Sequence, residues 1–316
     1  MENMGALGAL DGALAKVNKQ PAYMDALSAL NKLAGVNETE IRLTMLNVSA
    51  KVKPISGTDD LLQKTVRSSG IEFIRGFNRL IYNNTTFVGI DFESFEDFEN
   101  NITPPDKRAL IYALLAATYT TLPEKRITCP HCQERGDYHL KPSDMLQEDT
   151  FKKPWDIKEK ECEYQDYRVD SEIIPGVVIS YGMPSETDKL NLIRNKNDNE
   201  LRKNIEDGNS LLNNMDIIAL YIKSIFIKGK TKKDNITITS DQIEDGVSVI
   251  QQTINGMPAD IQIKIIEDEK IGEFMDYNPD FYMKLICRND NCNKSFNWFD
   301  INPETDFFRK SLSIYK

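Results

Sequence analysis

Histidine is nearly absent from this 316-residue sequence, which has only His131 and His139. That scarcity argues against histidine-based acid–base catalysis and against histidine-rich metal chemistry. Also missing are the glycine-rich phosphate loop, the G-x-S-x-G nucleophile elbow and the H-E-x-x-H zinc-protease helix. No run of about 18 apolar residues occurs, so no transmembrane helix is expected. Met1-Glu2-Asn3-Met4 lacks the basic region that opens a secretory signal, and synthesis in the cytosol is the expectation. Positive charge is in deficit too. Lys and Arg number 39 against 49 Asp and Glu, a net charge of −10. Nucleic-acid affinity rests largely on Lys and Arg, so this balance disfavours phosphate contacts.

What remains is the composition of a soluble globular chain, 40% hydrophobic and 28% charged. Its length suits one large domain or two modest ones. No internal repeat or low-complexity tract is present.

Four of the five cysteines fall into two close pairs. Cys129-Pro130-His131-Cys132 is one, and Cys287-Arg288-Asn289-Asp290-Asn291-Cys292 is the other. A CxxC turn brings two thiolates near enough to share a tetrahedral zinc, and a second short-spaced pair supplies the other two ligands. The expectation is a structural zinc, one per chain, held by Cys129, Cys132, Cys287 and Cys292. Residues 133–286 then become a largely helical insertion in a split zinc ribbon. The first pair is the stronger motif, because Pro130 stiffens a tight knuckle. The second is at the upper edge of ligand spacing. Two disulfides and a thioredoxin-like redox CxxC are the other readings. Neither a secretory signal nor a β-α-β pattern supports them. Cys162, in the charged run 158–170, reads as an ordinary free thiol. A Cys162–His139 nucleophile pair would need a proximity that the sequence does not reveal. Four cysteine ligands leave no open position for a catalytic water. No catalytic or cofactor-binding residue is assigned, and the chain is expected not to be an enzyme.

The patterns along the chain point to an α+β fold that is mainly helical. Residues 1–36 read as two helices, either packed in the core or forming an arm that docks elsewhere. Residues 41–52 alternate as a strand whose phase switches near Leu46. A long helix follows over 58–82, breakable at Gly70 and ended by Asn83-Asn84. Phe92, Phe95 and Phe98 stand at helical spacing. Thr103-Pro104-Pro105-Asp106 is the best helix start, with Thr103 as cap and Asp106 completing a capping box. That helix runs to about Thr120, apolar nearly all round. Tyr138–Leu140 is the expected strand leaving the first knuckle. Residues 144–175 are charged and without pattern, 177–181 a strand, 186–214 a solvated helix or long loop, and 217–227 helical. The basic run 228–233 reads as a solvated turn. An amphipathic helix passes through Ile250 and Ile254 to Asn255-Gly256, with one more helix near Ile261–Ile266. Strands at 281–286 and 296–299 flank the second knuckle. Phe307-Phe308 is a core anchor or an exposed patch. The chain thus divides into an N-terminal helical arm (1–36), a helical core with the first knuckle (37–185), a helical insertion (186–280) and the second knuckle with the tail (281–316).

Pro105-Asp-Lys-Arg-Ala-Leu-Ile-Tyr-Ala-Leu-Leu-Ala-Ala-Thr-Tyr119, followed by Cys129-Pro-His-Cys132, resembles the helix-then-knuckle segment of T-even-type phage baseplate hub assembly proteins. The strand Val177–Tyr181 before Gly182-Met-Pro184-Ser-Glu-Thr-Asp188 is similar to that family's strand ending in a proline with an acidic residue downstream. Cys287–Cys292 with Phe307-Phe308 resembles its closing knuckle and aromatic pair. The resemblance spans roughly residues 41–185 and 281–308. Here residues 1–36 look additional, and the second knuckle encloses four residues rather than two. The resemblance implies a non-enzymatic protein of tail baseplate assembly, an assembly factor or a minor component at the hub. It would bind hub or tape-measure segments in the host cytoplasm, with a place in the virion tail open, and with neither nucleic acid nor membrane as partner. The alternative is a zinc-ribbon nucleic-acid-binding or transcription-linked factor.

Overall fold

The computed structural model describes residues 38–56, 59–68, 70–146, 167–196, 212–240, 245–275 and 281–298. The expected N-terminal helices, Cys162 and Phe307-Phe308 lie outside these residues.

The phase switch near Leu46 is a turn. Strands β1 (Thr39–Leu43) and β2 (Val48–Val52) form an antiparallel hairpin, with Leu43 opposite Val48 and Asn47 in the left-handed region at φ 54°. Strand β3 (Thr85–Val88) completes this sheet on the β2 side. Between them lie α1 (Asp60–Arg67) and α2 (Gly70–Asn83). The expected long helix is thus two, and the second opens at Gly70, whose φ of +58° suits a residue without a Cβ. Asp59 caps α1 by accepting from the Leu62 N–H. Helix α3 (Phe95–Asn101) starts at Ser94, and its Phe95 and Phe98 gather with Tyr82, Phe87 and Phe92 into one aromatic cluster.

Helix α4 (Pro104–Thr118) is buried on almost every side, as its composition requires. Its start differs from the expected capping box. Thr103 makes no side-chain cap bond. The Asp106 carboxylate accepts the Met45 N–H at 3.0 Å and the Leu46 N–H at 2.9 Å. Those two donors sit in the β1–β2 turn, where no strand partner can take them. A buried carboxylate answers that need instead.

The second half of the molecule departs most from expectation. Strands β6 (Val169–Ile174), β7 (Val177–Tyr181), β8 (Ile222–Ile227) and β9 (Ile236–Thr239) form an antiparallel sheet in that order. The apolar run 217–227 is therefore two elements, α6 (Asn214–Tyr221) followed by β8. Its second part is rich in isoleucine, which fits a pleated surface, and it finds β7 as a partner. Strand β6 was hidden in a polar stretch. The fold is α+β, and between the cysteine pairs this antiparallel sheet stands together with helices.

Helix α5 (Glu186–Arg194) begins with a Ser185–Asp188 capping box and is not solvated, since Leu190, Leu192 and Ile193 are buried. Helix α7 (Gly246–Asn255) ends at Gly256 as expected. One further helix was expected and two occur, α8 (Ala259–Ile266) and α9 (Glu269–Met275).

Two large cores result. The first joins the β1–β3 sheet, α4 and the cysteine-bearing hairpins. The second joins the four-stranded sheet to α6, α7, α8 and α9. Met45, at the β1–β2 turn, is buried in the second core. A buried ion pair also crosses between α4 and α5. The Lys107 Nζ lies 2.7 Å from Glu186 Oε2, which Asn78 Nδ2 approaches at 3.4 Å.

Candidate metal centre

Each cysteine pair sits at the tip of a two-stranded hairpin. Strands β4 (Lys125–Thr128) and β5 (Arg135–Tyr138) carry the first, with Thr128 opposite Arg135. Strands β10 (Met283–Ile286) and β11 (Ser295–Trp298) carry the second, with Ile286 opposite Ser295. The outgoing strand of the first hairpin starts at Arg135, earlier than the expected Tyr138.

The two knuckles share one construction. The first cysteine of each closes the ladder, Cys129 N–H to Glu134 O at 2.8 Å and Cys287 N–H to Lys294 O at 2.9 Å. The residue after the second cysteine takes a positive φ, 62° at Gln133 and 43° at Asn293. Each of these donates back four residues, to Cys129 O and Asn289 O respectively, both at 2.9 Å. The tight turn of 129–133 is thus repeated at 289–293, and the longer second spacing is absorbed before it. The Asn289 side chain steadies that turn by accepting the Asn291 N–H at 2.9 Å.

The fold brings all four cysteines together. Their sulfurs lie within 4.8 Å of one another. Two of the contacts run between hairpins, Cys132 to Cys287 at 3.6 Å and Cys129 to Cys292 at 4.0 Å. Four sulfurs about 2.3 Å from a central zinc would stand about 3.8 Å apart. The donor set and spacing fit one tetrahedral metal ion. All four thiols are free. Cys129 and Cys287 are buried in the first core, and Cys132 and Cys292 are the more exposed pair.

Neither histidine joins the group. His131 Nε2 bonds to Ser295 O at 3.2 Å and so ties the two knuckles together. His139 lies on the surface, 3.4 Å from Glu124.

The four thiols stand in conflicting electrostatic surroundings. Burial opposes ionisation of Cys129, but the N–H groups of Cys132 and His131 point at its sulfur and hold the thiol at about 7. Cys287 receives the Asn289 N–H, yet burial and the neighbouring thiols push it up to about 12. Thiols this close cannot all ionise by themselves, since each thiolate opposes the next. A bound cation removes that penalty.

Several supporting residues carried no sequence signal. The Tyr138 ring stands edge-on to Phe296, with centroids 6.2 Å apart and planes at 88°, and the Arg288 guanidinium covers it at 5.2 Å. Gly136 makes room for that ring, because a Cβ there would lie 3.0 Å from it. Behind the site, Phe281 stacks on Tyr112 of α4 at 4.0 Å. The chain entering the second hairpin is thereby fixed to the helix that leads to the first. Only the spacing of aromatic residues around each pair could have hinted at these contacts.

The chain matches no protein-family model, no curated protein and no solved structure. Among the described residues no helix is long and apolar enough to cross a membrane.

Proposed function

We propose that this chain is a non-enzymatic phage tail protein of baseplate hub assembly, built around one structural zinc held by Cys129, Cys132, Cys287 and Cys292. One observation carries the zinc reading: four thiols from two distant hairpins converge within 4.8 Å, with no other donor in the group. Thiolate sets of this kind suit zinc, and four of them close the coordination shell, so the ion clamps and does not catalyse. The role at the baseplate is supported by the resemblance, whose helix and both knuckles are the parts gathered around the cysteines. In this reading the clamp fixes α4 and both hairpins as a rigid platform, which binds hub or tape-measure segments through helical and aromatic surfaces.

Co-expression with the hub and tape-measure proteins of a tail gene cluster tests the role. A stable complex with one of them is expected, weakened when residues 1–36 are removed. Failure to bind any tail protein contradicts the role and leaves the metal site standing.

A second reading rests on charge. In a chain of net −10, the two hairpins expose Arg135, Lys284, Arg288 and Lys294. A nucleic-acid-binding ribbon predicts binding that falls steeply with salt. No binding to single- or double-stranded DNA or RNA at low salt removes this reading.

A further inference from the structure

Strand β9 is the outer strand of the four-stranded sheet, pairing among the described residues with β8 alone. In an antiparallel strand the N–H and C=O of one residue point to the same side, and the side alternates along the chain. Ser240 donates its N–H inward to Lys223 O at 2.8 Å. By that alternation Ile238 and Ile236 also face β8, while Thr237 and Thr239 turn their backbone groups outward. No bond from these outward groups is made among the described residues. Ile236, on the same strand, is 54% exposed.

The two ends of this edge carry opposite charge. Before β9 comes the basic run that the sequence placed in a solvated turn. Lys228, Lys230, Lys232 and Lys233 are exposed there, and none has a carboxylate partner among the described residues. The turn's own acid, Asp234, is occupied by the N–H and hydroxyl of Thr231 at 3.0 and 2.8 Å. At the far end stands exposed Asp245. Its neighbour Gly246 is pressed so closely on Ser240 that an added Cβ would lie 2.3 Å from the Ser240 carbonyl oxygen. Asp245 is therefore held at the end of β9.

We propose that β9 is a self-association edge, to which β9 of a second copy of this chain adds antiparallel across a two-fold axis. Thr237 then faces Thr239 of the second copy, and the outward groups of both are satisfied. Each lysine turn meets the Asp245 end of the other copy, and Ile236 is covered. A parallel alignment would set the two lysine turns side by side, where like charges repel. Unpaired strand edges are ready templates for this addition, and two-fold closure is the commonest symmetric assembly.

Sedimentation equilibrium of the full chain, from about 1 to 100 μM, reads the association directly. A dimer growing with concentration and weakened by salt is expected. Thr237→Pro removes an outward N–H while sparing the bonds to β8, and weakens the dimer roughly tenfold or more. Lys232→Glu with Lys233→Glu also weakens it, and adding Asp245→Lys restores it. An unchanged circular dichroism spectrum confirms that each variant folds. If Thr237→Pro does not fold, the charge variants alone decide. A chain that stays monomeric throughout, or a dimer indifferent to the charge variants, overturns the proposal.

Discussion

The phenol of Tyr138 donates to the carbonyl of Ile286 at 3.2 Å, joining one cysteine hairpin to the other. Burial raises the pKa of this phenol above its ordinary value, which keeps it a protonated donor. The same ring packs on Phe296 and lies under Arg288. The two hairpins are thus held by protein contacts beside the cysteines as well as by the convergence of the cysteines themselves.

Tyr138→Phe keeps the packing and loses the bond, so a loss of about 1 kcal/mol is expected. Gly136→Ala should cost more, because the ring must move to admit the methyl group. Urea unfolding of the two variants measures both. Unfolding midpoints unchanged from the parent protein would mean that the hairpins do not depend on this contact.

Phe281→Ala should release the second hairpin from α4. Both rings of the Tyr112–Phe281 stack are buried. Truncating such a ring costs about 3–5 kcal/mol. Thermal unfolding tests this, and a cost under about 1 kcal/mol would show that the second hairpin is not anchored there.

Asp106→Ala leaves the Met45 and Leu46 N–H groups without an acceptor inside the protein. Each unsatisfied buried donor costs about 1–3 kcal/mol, so the variant should lose several kcal/mol. Asp106→Asn retains one acceptor oxygen and should fall between Asp106→Ala and the parent. Equal stability of all three would contradict the assigned role.

Two buried carboxylates impose opposite pH dependences. Burial works against Glu186, but Lys107 beside it prevails and brings its pKa down to about 2. Its contribution is present above about pH 4.5 and is lost as pH falls through 2. Burial raises Asp106 to about 6 despite its N–H partners. The folded state therefore gains from Asp106 at low pH, and that gain is lost as pH rises from about 3.8 through 6. Each shift corresponds to roughly 3 kcal/mol. Chemical unfolding between about pH 2 and 7 should show the gain below pH 6 vanish in Asp106→Asn, and the acid loss vanish in Glu186→Gln. Parallel curves for variants and parent would refute both assignments.

The cysteine spacing alone announced the candidate site, because two short pairs are a local pattern with one simple geometric solution. The strand Val177–Tyr181, the break before Gly70 and the helix end at Gly256 were legible for the same reason: local sterics decide them. Asp106 was not. A capping pattern and an acceptor for a distant turn look identical in sequence, and the hairpin that claims the carboxylate is set by tertiary packing. The run at 217–227 misled because its isoleucines fit a buried helix and a buried strand alike, and only β7 settles the choice. Tyr138 gave no signal, since its partners lie in a hairpin far along the chain.

In the proposed reading one zinc closes the two hairpins. Metal analysis of the full chain, purified without added metal, tests it most directly, together with unfolding in the presence of a chelator. About one zinc per chain is expected, lost in Cys129→Ser and in Cys287→Ser, with chelation lowering the unfolding temperature. A chain that contains no zinc, and whose unfolding is untouched by chelator and by both substitutions, would contradict it.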